Sequence, residues 1–97
     1  MSKLIVSERA RKEILISYKW YENKQAGIGD KFTTEIYAAF SKIKLSPERF
    51  AVKKQPYHEI PLKKFPFVII YRLDIATKDI FISSVFHFNR NPGKKYI

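Results

Sequence analysis

The chain has 97 residues, 45% hydrophobic and 15% aromatic, enough for one core and too few for two, so residues 1–97 are expected to form a single domain. The absence of cysteine excludes disulfide frameworks and thiolate chemistry; with only two histidines besides, no metal and no other cofactor is expected. Nineteen Lys and Arg against nine Asp and Glu leave a net charge of +10, which points to an acidic counterpart, either nucleic acid or protein.

Taken in chain order, Lys3 to Val6 reads as a short strand. Its three successive apolar residues fall far short of a signal-peptide core, and the longest apolar run, Phe67 to Tyr71, cannot span a bilayer. A soluble, cytoplasmic protein with no membrane partner is the expectation. Ser7 stands where a helix cap belongs, with Glu8 in the first turn behind it. Ala10, Ile14, Tyr18 and Tyr21 then recur at helical spacing, which predicts a helix to about Gln25. Gly27 and Gly29 interrupt the pattern and read as a turn. A second helix is predicted from near Asp30, with Phe32, Ile36, Phe40 and Ile43 on one face, ending at Ser46 and Pro47. Glu8, Glu13 and Glu22 lie on the first, cation-rich helix and read as exposed ion-pair partners without a catalytic role.

Beyond Pro47 the periodicity changes. Pro56 and Pro61 limit the stretch from Val52 to Leu62 to one weak edge strand, whereas Phe67 to Leu73 and Asp79 to Phe88 are rich in β-formers and joined by a hairpin loop. The fold class is therefore α+β: a strand, a helical hairpin, then a three-stranded, mostly antiparallel sheet with the hairpin on one face. Strict alternation on the last strand would put Phe81, Ser83, Val85 and His87 on one face and Ile80, Ile82, Ser84 and Phe86 on the other. Both sets are largely apolar, so the direction of His87 stays open.

The excess charge is concentrated in the middle loop (Arg49, Lys53, Lys54, Lys63, Lys64) and at the C-terminus (Arg90, Lys94, Lys95). Together with His58 these form the candidate surface for a target or nucleic acid, namely Lys53, Lys54, His58, Lys63, Lys64, Arg90, Lys94 and Lys95, with Tyr57, Phe88 or Tyr96 available to stack on bases. Metal-free RNA cleavage needs a base, an acid and cations on the phosphate. His87, Arg90, Tyr71 and Lys63 are the residues that could supply them; equally, His87 and Tyr71 could be structural core residues.

The order of elements and several local signatures resemble the ParE/RelE superfamily of bacterial type II toxin-antitoxin systems, in its ParE-like, plasmid-stabilisation branch. The signatures are Trp20-Tyr21-Glu22, Gly27-Ile28-Gly29 before Phe32, Pro47 after the second helix, Leu62 to Phe67, Tyr71, and Val85 to Pro92. The resemblance implies a growth-inhibiting toxin neutralised by a cognate antitoxin that wraps the helices and sheet. ParE-like proteins are associated with poisoning DNA gyrase, and RelE-like proteins with cleaving mRNA on the ribosome. The arginine that the nuclease branch carries three positions before the strand tyrosine aligns with Val68, and His58 and Glu59 stand where many ParE-like relatives have arginine. A non-enzymatic toxin that binds a protein target is therefore the first expectation. The alternatives are a ribosome-dependent endoribonuclease using His87, Arg90, Tyr71 and Lys63, and a non-toxic relic that still binds antitoxin.

Overall fold

The computed structural model describes residues 3–89 and 92–96. Strand β1 (Leu4–Val6) leads into helix α1 (Glu8–Lys24), then α2 (Ile28–Leu45) and four strands, β2 (Val52–Lys54), β3 (Tyr57–Pro61), β4 (Phe67–Leu73) and β5 (Ile80–His87), before a 3-10 turn at Pro92–Lys94. The sheet order is β1-β5-β4-β3-β2. All neighbours are antiparallel except β1 and β5, whose parallel pairing encloses the helical hairpin between the first strand and the last. The expected three strands after the hairpin are thus four, because Pro56 lies in a turn that divides the Val52 to Leu62 stretch in two. The N-terminal strand makes the fifth.

Both helices begin with a side chain that satisfies free N–H groups. Ser7 Oγ accepts from Ala10 N at 3.0 Å and donates to the Ser83 carbonyl, joining the start of α1 to the sheet. At α2 the cap comes from the other helix. The Glu22 carboxylate accepts the N–H groups of Gly27 (3.0 Å), Gly29 (2.8 Å) and Asp30 (3.3 Å), placing negative charge where the helix dipole favours it. Gly27 takes a left-handed conformation with φ 93°. Gly29 is not a turn residue; it lies in the first turn of α2, where a Cβ would come within 2.8 Å of the Tyr18 carbonyl.

The main core lies between the hairpin and one sheet face. Ala10, Phe32, Ile36 and Ile43 from the helices meet Ile69, Tyr71, Ile80, Ile82 and Val85, all completely buried. Strict alternation fails on β5. A bulge opposite Ile70 and Tyr71 pairs those residues with Ser84 and Ile82, leaving Ser83 as the extra residue. Ile80 and Ile82 therefore share the helix-facing side with Val85 and His87, which corrects the expected grouping. Past the end of β1, Glu13 takes over the open edge of β5: one carboxylate oxygen accepts the Ser84 hydroxyl at 2.8 Å and the Val85 N–H at 2.9 Å. Glu13 is 5% exposed and Glu22 is a cap, so of the three acids expected at the surface only Glu8, paired with Lys12, is an exposed ion-pair partner.

Candidate functional site

The sheet has two unlike faces, and the candidate residues divide between them. On the helix-covered face, β4 brings Phe67 beside His87 and Tyr71 beside Ile82. The Tyr71 side chain is completely buried, its hydroxyl donates to the Pro47 carbonyl at 2.7 Å, and burial pushes its phenol up to about 12. His58, paired with Tyr71 across β3 and β4, stacks on its ring at 4.9 Å and 11°. Its Nδ1 lies 2.8 Å from the Phe50 carbonyl, which can only accept, so that nitrogen carries the proton.

His87 stands at the far end of this face, edge-on to Phe67 at 4.8 Å. The Asn89 N–H donates to its Nδ1 at 2.9 Å, which leaves the proton of the neutral ring on Nε2. It opens into a groove of about 300 Å³ with Ile16, Trp20, Tyr21 and Phe67, so its surroundings are largely apolar.

The opposite face carries a second, small apolar cluster of Val68, Ile70 and Phe86. Tyr57 and the C-terminal Tyr96 cover it, their rings 5.2 Å apart. Around them sits a polar group. Glu59 is 8% exposed, accepts the Tyr96 hydroxyl and pairs with Lys95 Nζ at 3.0 Å; Lys54 lies over the Tyr96 ring at 5.5 Å. Desolvation first, then the Glu59 hydrogen bond and charge, push Tyr96 up to about 12. Part of the middle basic loop and part of the C-terminus therefore meet here.

Lys63 and Lys64 lie elsewhere, in the β3–β4 loop, where the Glu35 carboxylate of α2 accepts both of their backbone N–H groups. Lys53 is exposed on the edge strand β2; Lys94 is exposed, and its carbonyl accepts from Arg9 Nη2 at 2.7 Å. Arg90 falls outside the described residues. The structure thus brings Lys54 and Lys95 together, separates them from Lys63 and Lys64, and puts His87 and Tyr71 on the other side of the sheet. Glu59, Tyr57 and Tyr96 complete the outer cluster; the i, i+2 spacing of Tyr57 and Glu59 was the signal that they share a face. Among the described residues no group of three His, Cys, Asp or Glu could hold a metal ion, and no helix is long and apolar enough to cross a membrane.

Two helices lie on one face of this mixed sheet, with the first strand parallel to the last, and a family model matches the sequence that forms them. The model for the ParE toxin of the type II toxin-antitoxin system parDE aligns with residues 4–92. The chain belongs to the ParE toxin family. Solved structures agree on the fold. A chain of the chromosomal ParDE system from P. aeruginosa superposes with a TM-score of 0.77 at 16% identity, over 90% of this chain and 96% of that one. The intact E. coli RelBE toxin-antitoxin complex contains a chain that superposes at 0.69 with 18% identity, over 93% and 100%. The isolated E. coli RelE toxin superposes at 0.67 with 16% identity, over 98% and 93%. No curated protein matches the sequence significantly. Within the ParE toxin family, then, this chain combines a filled, apolar Val68 position with a histidine set against aromatic rings.

Proposed function

We propose that this ParE-family chain inhibits growth by binding a protein target without breaking bonds, and that a cognate antitoxin neutralises it. By family resemblance the target is DNA gyrase. The observation that carries the reading is the position of Val68: it packs with Ile70 and Phe86, 3% exposed, where the nuclease resemblance asks for an arginine. A valine offers no charge to a pentavalent phosphorus centre. His87 lies on the opposite face of the sheet, so an acid there and the cations Lys54 and Lys95 do not converge on one phosphate. The antitoxin partner is supported by the toxin-antitoxin complexes among the structural relatives. Induced expression without antitoxin is expected to arrest growth and raise the DNA-damage response with transcripts intact; arrest with normal supercoiling and fragmented mRNA would reject the reading.

A second reading, ribosome-dependent mRNA cleavage, draws on the cluster of Lys54, Glu59, Lys95 and Tyr96 beside Tyr57. It combines cations, a carboxylate, a hydroxyl and an aromatic surface within reach of one another. In that case Lys54→Ala with Lys95→Ala abolishes toxicity, and His87→Ala does not.

A further inference from the structure

The sheet ends in two edges, β1 on one side and β2 on the other, and they are unlike. The β2 edge is Val52, Lys53 and Lys54 with a shift in its register, so two cations and an irregular backbone guard it against pairing with another strand. The β1 edge is Leu4, Ile5 and Val6, none of them charged. Beside it, the Lys3 carbonyl accepts from Ile80 N and Ser7 N donates to the Ile82 carbonyl. By the alternation of a paired strand, Ile5 also turns its backbone toward β5, and the N–H and C=O groups of Leu4 and Val6 point out from the sheet.

The side chains around this edge are apolar as well. A groove of about 570 Å³ runs between β1 and the helical hairpin, with Leu15, Tyr18 and Tyr37 among its walls. Ile5, Leu15 and Tyr37 are exposed there, and among the described residues that line the groove Arg11 is the one charge. A single arginine gives an acidic partner little to hold. On a chain of net charge +10, the same neutrality makes this the place where a second copy approaches with least repulsion.

The edge is also self-complementary. Under a two-fold rotation about Ile5, Leu4 falls opposite Val6 of the second copy, and these residues exchange both N–H and C=O partners as an antiparallel hydrogen-bonded pair. Ile5 then meets Ile5 at the axis, with Cα atoms about 4.5 Å apart. Lys3 falls opposite Ser7, which carries no charge. We propose that the β1 edge pairs with the β1 edge of a second copy, joining two chains into one continuous sheet. Both copies' clusters of Lys54, Glu59, Lys95 and Tyr96 then lie on the same outer face, toward its two far ends. The inference goes beyond the growth-inhibition reading and does not depend on it.

Sedimentation equilibrium of the full chain, over a range of protein and salt concentrations, tests it. A reversible dimer with a Kd of about 10 µM is expected, and it should tighten as salt screens the repulsion between two positive bodies. Ile5→Lys sets two cations face to face at the axis and should weaken association at least about tenfold. Val52→Lys adds the same charge to the β2 edge at a similarly exposed residue, 43% against 40%, and is expected to change it less than about twofold. Ile5→Glu alone should also be weak, whereas an equimolar mixture of Ile5→Lys and Ile5→Glu should dimerise within about threefold of the parent. That recovery requires both variants to be folded. A parent chain that stays monomeric up to about 1 mM, equal losses at the two edges, or a mixture no better than its components would each overturn the proposal.

Discussion

Replacing Glu13 by alanine leaves the Ser84 hydroxyl and the Val85 N–H buried without their acceptor. The expected loss is about 2–4 kcal/mol in urea unfolding, against about 1 kcal/mol for Glu13→Gln, which keeps a carbonyl oxygen there. Gly29→Ala drives a Cβ to 2.6 Å from Glu22 Cγ, whereas at Gly27 nothing lies within 4 Å of one and only the positive φ resists substitution. Gly29→Ala should therefore lower the melting temperature more than Gly27→Ala, whose cost is about 1–2 kcal/mol. Tyr71 sets an alkaline limit. Unfolded, its phenol ionises near 10; folded, burial holds the proton to about 12. The native state binds more protons between those values, so the stabilisation is whole below pH 10 and is lost as pH rises through 12. Urea midpoints taken from pH 9 to 12 should fall, and Tyr71→Phe should flatten the slope. None of these three roles is legible in the residue alone: an acid on a basic helix gives no sign that a strand edge ends beside it.

Among the elements, the two helices were the most legible, because a core-facing helix must repeat its apolar residues near 3.6. Phe32, Ile36, Phe40 and Ile43 are buried as that spacing requires. The start of α2 was displaced by two residues because the glycine that looks like a breaker is instead demanded by close helix packing. In the sheet, β5 reads as apolar on both sides, and the bulge at Ser83 reassigns its faces without any local sequence mark. That change settles where His87 points. The strand-to-helix junction is held by Ser7, whose hydroxyl both caps α1 and reaches β5. Ser7→Ala is expected to cost about 1 kcal/mol, read as a lower thermal midpoint with an unchanged circular dichroism spectrum at low temperature.

Over the whole molecule, composition sets the net charge of +10 and the fold decides where that charge lies. The charge excess of the middle loop is divided: Lys54 joins Lys95 at Tyr96 on the outer sheet face, while Lys63 and Lys64 turn to α2. No pattern along the chain reveals that division, since it depends on which side of the sheet each segment leaves. The same arrangement keeps His87 among aromatic rings and fills the Val68 position with apolar packing, which is the basis for reading the protein as a binder. The most direct test is the length of a reporter mRNA in a translating extract given the purified chain. The account expects the transcript to remain full length at every concentration; fragments that appear only while ribosomes are translating would contradict it.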